Sequence, residues 1–248
     1  MAYQQAKTGQ MMNTADTPSA SHFDTPTFLE SITQELTEPE SLTEAKMLKT
    51  RQSNIVLASS SPYRKALLSR VLDDFVCASP EIDESRMSNE SLSALAERLA
   101  IEKARKLSTT FPEHLIIGSD QVACLEAAGH SIQLCKPVSK ERCFEQLHQC
   151  QGQTLIFYTG LCLLNSRTGV IQTCVETYQT KFRHLSDPQI WHYIEKEPAL
   201  DCAGGFKMEG LGIALFEHIR GDDPNTLIGL PLIKLVSMLK NEGIDVLS

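Results

Sequence analysis

Four groups of residues in the chain have types that can do phosphate or acid–base chemistry. The first is "SSSPYR", carrying Ser59, Ser61, Tyr63 and Arg64 where an apolar run hands over to a basic, amphipathic one. Backbone N–H groups at a helix start, beside hydroxyls and a guanidinium, make a seat for a phosphate. The same residues also read as an ordinary helix start, with Ser61 capping and Pro62 in the first turn. The second group is "PEIDE", with Asp83 and Glu84, whose plainer reading is a solvated acidic run. The third is "GSDQV", in which Asp120 follows two isoleucines, a glycine and a serine. An acid there stands at the expected end of a core strand, where open α/β sheets meet their ligands, or it closes the strand by bonding to the next turn. The fourth is "KP", with Lys136 before Pro137, either a cation facing a ligand or an exposed hairpin end.

Periodicity predicts the elements that hold these groups. "NIVLA" is a short apolar run, as in a buried strand, and Leu67, Leu68, Val71 and Leu72 then give a helical stripe. A helix near 88–108 gathers Leu92, Leu95, Ala96, Leu99 and Leu107 on one arc. Lys103 falls in the middle of that arc, where a lysine must snorkel outward or meet a buried anion. "HLIIGSDQVACL" is a second buried strand, returning through a hairpin at "AAGHS". Ser139 to Cys150 is expected to be helical and stopped by Gly152. "QTLIFYTGLCLLNS" and "VIQTCVETYQTKF" flank the turn "RTG" as a long β-hairpin. Ser186 and Gln189 form a capping-box pattern around Pro188, opening a helix to about Glu195. "CAGGFKMEGLG" reads as a loop, "IALFEHIRG" as a strand, and Pro231 as the start of a last helix ending before Gly243. The expected fold class is α/β: an elongated mixed β-sheet flanked by helices, in two lobes with a cleft.

Composition narrows the function classes. With 23 Lys and Arg against 31 Asp and Glu, the formal net charge is −8, which disfavours a general nucleic-acid binder. No apolar run approaches the ~20 residues a bilayer span needs, so no membrane partner is expected. The eight cysteines include no C-x-x-C pair and read as reduced thiols of a cytoplasmic protein. The seven histidines have no helix-face ligand spacing, which argues against zinc. "GDDPNTLIG" lacks the alternating oxygen ligands of a calcium loop, and neither a Walker A nor a G-x-G-x-x-G motif is present. Residues 1–52, rich in Ser, Thr, Gln and Glu, are expected to be a disordered N-terminal extension with a transient helix near 27–36. Residues 53–248 form the folded domain.

Taken together, "LASSSPYRKALL", "ERLAIEKA", "IIGSDQV", "KP", "CAGGFKMEGLG" and "DDPNTLIGLPL", in this order, resemble the Maf family of nucleoside triphosphate pyrophosphatases. The resemblance spans about residues 54–247 and implies an inosine triphosphatase-like fold. It implies hydrolysis of a nucleoside triphosphate to the monophosphate and pyrophosphate, with Mg²⁺ or Mn²⁺ as cofactor and a small nucleotide as partner. On that basis Asp120 is the proton acceptor, and Glu84 with Asp120 holds the metal. Ser59, Ser61, Arg64, Lys103 and Lys136 then bind the phosphates. Many family members read S-P-R-R, G-A-D-T and Gln where this chain has Tyr63, Gln121 and Glu209. That trio resembles the subgroup preferring 7-methyl-GTP. A tyrosine can stack on the cationic methylated base, and a glutamate can accept from guanine N1–H and N2–H. The alternatives are a preference for ordinary pyrimidine or other modified triphosphates, and a non-catalytic regulator of cell division. The family also suggests a homodimer.

Overall fold

The computed structural model describes residues 54–127 and 130–248. The expected extension over 1–52 and its helix near 27–36 lie outside the described residues. In chain order the elements are β1 (Ile55–Ala58), α1 (Pro62–Leu68), β2 (Val76–Ala78), α2 (Leu92–Leu107), β3 (Leu115–Ala127) and β4 (His130–Leu134). They continue with α3 (Lys140–Cys150), β5 (Thr154–Asn165), β6 (Ile171–Phe182) and α4 (Asp187–Lys196). A 3-10 turn (Leu211–Leu215) leads into β7 (Phe216–Arg220), α5 (Asn225–Ile228) and α6 (Leu232–Asn241). Seven strands form one mixed sheet in the order β2-β1-β3-β5-β6-β7, with β4 paired to β3.

Strand β3 organises the sheet because its two halves have different neighbours on one edge. Its first half runs parallel to β1, with Ala58 opposite Gly118 as the last pair. Its second half is antiparallel to β4, from Ala123 opposite Leu134 onward. Its other edge pairs with β5 without interruption from Leu115 to Glu126. Ser119 to Val122 therefore fall in the interval between β1 and β4.

Helix α2 packs on one face of the sheet through Leu92, Leu95, Ala96, Leu99, Ala100, Ala104 and Leu107. Burying each such leucine stabilises the fold by about 1.5–3 kcal/mol. The approach is close because two strand positions lack a side chain. A Cβ at Gly118 would meet the Ala100 carbonyl, and one at Gly160 would meet that of Ala96. Helix α6 covers the opposite face, where Leu235 and Leu239 pack with Ile55, Leu57, Ile117 and Leu161. A separate cluster around Phe157, Phe182, Phe206 and Phe216 closes the far end of the sheet.

Several local outcomes differ from the periodicity. The three-residue β2 has too few side chains to show a pattern. Ile213 to Leu215 are in the 3-10 turn, so β7 begins only at Phe216. Asp120 lies inside β3, not at its end, because pairing with β5 carries the strand on past it. What ends beside Asp120 is the neighbouring strand β1.

Candidate active site

The interval between β1 and β4 opens into a cavity of about 660 Å³, within the range of sites that enclose small ligands. Asp120 and Gln121 sit at its base, on adjacent positions of one strand, so their side chains leave opposite faces of the sheet. The cavity reaches around the exposed edge of β3 and meets both. Its lining carries Arg64, Lys103, Lys136 and Lys207 with Glu84, Asp120, Asp201 and Glu209. Cations match carboxylates here, although the chain as a whole carries a net −8.

On the α2 side, Lys103 resolves the anomaly of a lysine on an apolar arc. It is 7% exposed, and its Nζ donates to Asp120 Oδ1 at 2.6 Å. The same ammonium lies 2.6 Å from Glu84 Oε1. Asp120 is itself 8% exposed, whereas the Glu84 side chain is 60% exposed. Burial pushes the Glu84 carboxyl upward. The Lys103 hydrogen bond and the charges of Lys103, Lys136 and Arg64 outweigh it and hold Glu84 below the ordinary range.

On the α1 side, Ser61 caps the helix by accepting from the Arg64 N–H at 3.4 Å, and Pro62 opens the first turn. Ser59 Oγ accepts from the Ser61 N–H at 3.1 Å and from Arg64 Nη1 at 3.5 Å. Arg64 Nε donates to the Gly229 carbonyl at 2.8 Å, which Ser119 Oγ also bonds at 2.9 Å. Gly229 follows α5 with φ +113°, a conformation that favours glycine. Asp223, almost fully buried, holds this stretch by accepting from Asn225 N and Ile233 N. Burial lowers Arg64 below the usual guanidinium range, opposed by the carboxylates of Asp120 and Glu84. Ser61 thus caps the helix, and Ser59 and Arg64 line the cavity beside it.

The third wall is the loop before the 3-10 turn. Tyr63 donates its hydroxyl to Asp201 Oδ2 at 3.3 Å, and Lys207 Nζ lies 5.5 Å from the centre of its ring. Gln121 donates its amide N–H groups to Thr159 Oγ1 and to the carbonyls of Thr226 and Leu227 in α5. Among the described residues its Oε1 has no hydrogen-bond donor, and neither Glu209 nor Lys136 has a side-chain hydrogen bond or ion pair.

The ten residues to which the sequence reading gave a role all line this one cavity. Asp83 does not; it faces solvent and accepts from the Ser85 N–H. Asp201 and Lys207 were missed, although Lys207 stands within the quoted loop "CAGGFKMEGLG". Gly229 was missed too, because a carbonyl bond to an arginine leaves no trace in residue type.

No group of three or more His, Cys, Asp or Glu is arranged for a metal among the described residues. Asp120 and Glu84 nevertheless converge on Lys103, and among the described residues their second carboxylate oxygens accept no hydrogen bond. Two hard carboxylates completed by phosphate and water are a common way to hold Mg²⁺. The described helices include none long and apolar enough to cross a membrane.

An open mixed sheet whose strand-edge cleft sets Arg64, Lys103 and Lys136 beside the carboxylates of Glu84 and Asp120 fits an α/β enzyme for a polyanionic substrate. Comparison with known proteins agrees. Residues 54–242 match the family model described as Maf-like protein. The chain belongs to the Maf family of nucleoside triphosphate pyrophosphatases. It is 53% identical over 192 residues to the 7-methyl-GTP pyrophosphatase of Pseudoalteromonas atlantica, covering 77% of this chain and 96% of that protein. Among solved structures it is similar to the Staphylococcus aureus Ham1 protein, with TM-score 0.45 and 13% identity, covering 76% of this chain and 98% of that one.

Proposed function

We propose that the protein hydrolyses 7-methyl-GTP, with the help of a divalent cation, to 7-methyl-GMP and pyrophosphate. The observation that carries this most is Lys103 bridging Asp120 and Glu84 at 2.6 Å each, at the base of a cavity that also receives Arg64 and Lys136. That is a ready balance of charge for a triphosphate and its cation.

Ser59, Ser61 and the start of α1 cradle phosphate oxygens, and Arg64 contributes a forked cation. Its Nε is spent on Gly229, so the Nη end faces the substrate. Lys103 and Lys136 add charge along the triphosphate. Asp120 accepts the proton of the attacking water as oxygen bonds to the α-phosphorus. The bond from that phosphorus to the bridging oxygen breaks, and pyrophosphate leaves with the electron pair. Glu84 and Asp120 would hold Mg²⁺ or Mn²⁺, which when bound supplies neutralisation of phosphate charge and polarises the reacting phosphorus.

The base preference rests on the opposite wall. The Tyr63 ring already faces one cation, the Lys207 ammonium, so it accepts positive charge. A methylated guanine carries such a charge. Glu209, with no side-chain hydrogen bond or ion pair among the described residues, is available to guanine's N1–H and N2–H, and Gln121 Oε1 is open to the same space. The likeness to the 7-methyl-GTP pyrophosphatase of Pseudoalteromonas atlantica supports the same base. The test is pyrophosphate release from 7-methyl-GTP, GTP, UTP and dTTP with Mg²⁺ and with Mn²⁺. The methylated nucleotide is expected to have the highest kcat/KM; equal or better use of UTP or dTTP would contradict it.

A further inference from the structure

Glu84 is carried by residues 79–91, a stretch with neither helix nor strand between β2 and α2. Its side chain is mostly exposed, so packing does not fix it. Hydrogen bonds within the stretch are short-range: Ser85 N–H to Asp83 Oδ1, Met87 N–H to Glu90 Oε2, and Glu90 N–H to the Met87 carbonyl. Ile82 adds an apolar contact with the α2 leucines. Among the described residues, the hydrogen bonds and ion pairs tying residues 79–90 to the rest of the fold come from two side chains, both on α2. One is Lys103, to Glu84. The other is Arg98.

Arg98 grips both oxygens of Glu90, with Nε at 2.7 Å from Oε1 and Nη2 at 3.1 Å from Oε2. Nη2 also donates to the carbonyl of Ser85, the residue after Glu84, at 2.9 Å. Nη1 bonds both oxygens of Glu102, which braces the guanidinium along its own helix. Planar and forked, the group makes all these bonds at once, which an ammonium cannot. The two latches differ in what substrate does to them. Lys103 faces the cavity and turns to phosphate on the proposed reaction path; Arg98 does not line the cavity.

We propose that Arg98 is a positioning residue: it latches the segment so that Glu84 stays beside Asp120 when Lys103 engages the triphosphate. Arg98 has this role only if Glu84 is the metal ligand proposed above.

The test uses the full chain and Arg98→Lys, which keeps a cation for Glu90 but loses the fork to Ser85. Mn²⁺ binding in the presence of a non-hydrolysable nucleotide, read by electron paramagnetic resonance, should weaken about tenfold, the size of effect seen when groups behind a ligand are lost. The Mn²⁺ concentration for half-maximal activity should rise by the same factor, while kcat at saturating Mn²⁺ stays within about twofold. Amide exchange over residues 85–90 should quicken while α2 keeps its protection. Glu90→Gln, a milder cut, should move each quantity in the same direction. Glu84→Gln run in parallel should weaken Mn²⁺ binding without loosening residues 85–90. Wild-type Mn²⁺ binding by Arg98→Lys beside an impaired Glu84→Gln would overturn the latch and leave Glu84 as ligand. Wild-type Mn²⁺ binding by Glu84→Gln would remove Glu84 from the metal site and the latch with it. A loss of kcat that saturating Mn²⁺ does not restore would make Arg98 a structural residue and overturn the proposal.

Discussion

Lys103 on α2 and Asp120 on β3 form a buried ion pair, 2.6 Å from Nζ to Oδ1, at the point where β3 has lost β1 and not yet gained β4. The pair exists because Gly118 and Gly160 let the helix backbone down onto the sheet. Neither residue sits in a loop, so their geometry is set by the core.

Replacing Asp120 by Asn should preserve the fold and lower kcat by about 10²–10⁴-fold, the usual loss for a general base. The amide keeps the volume and can still accept from Lys103, so the melting temperature should move little. Near-normal turnover in folded Asp120→Asn would remove it as proton acceptor.

Lys103→Met should lower both activity and stability, the latter by about 3 kcal/mol at neutral pH, because Asp120 is left buried and unpaired. Denaturant unfolding should show that deficit against the wild type. It should shrink in the Lys103→Met, Asp120→Asn double variant. An undiminished deficit in the double variant would mean that lysine packing, not its charge, is what matters.

Since the Glu84 carboxyl is held below its unfolded value, its contribution to stability is present above the ordinary glutamate range and is lost as pH falls through the folded value. The side chain is largely exposed, so solvent screens the effect and keeps it small. Glu84→Gln should therefore flatten the acid side of the melting-temperature profile between about pH 6 and about pH 3 while leaving the alkaline side alone. Superimposable profiles would show that the ion pair with Lys103 carries no weight in solution.

How much of this was legible in the sequence depended on whether a residue's role shows in its type. The leucine arc of α2 and Lys103 inside it followed from a period of 3.6, and the structure supplies the anions that such a lysine needs. The SSSPYR segment had two readings, cap and anion seat; the structure shows the cap, and the seat belongs to the proposed chemistry. Asp120 was taken for a strand end because small residues precede it; the glycine instead serves helix contact, and the strand continues. The motif "DDPNTLIG" looked like a failed calcium loop. Its acid Asp223 organises α5 and the Gly229 carbonyl that fixes Arg64, a contact between residues 165 positions apart that no local pattern encodes. Arg98 stood inside the quoted segment "ERLAIEKA", but its bonds to Ser85 and Glu90 leave no mark in a helical period.

Tyr63 and Glu209 should govern which base is used rather than how phosphate is cleaved. Glu209→Gln with Tyr63→Arg should lower kcat/KM for 7-methyl-GTP by about tenfold or more, consistent with a charge-assisted pair and a stacked cation. Pyrimidine triphosphates should be spared or improved. The ratio of the two kcat/KM values is the measure, since a uniform fall would report only a damaged site.

The central claim is that this cleft directs water onto the α-phosphorus of a nucleoside triphosphate. Hydrolysis in heavy-oxygen water, with both products weighed by mass spectrometry, tests it most directly. The account predicts one heavy oxygen in the nucleoside monophosphate and none in the pyrophosphate released. Label in the pyrophosphate would place the attack on the β-phosphorus and contradict the role given to Asp120, as would release of orthophosphate and a nucleoside diphosphate.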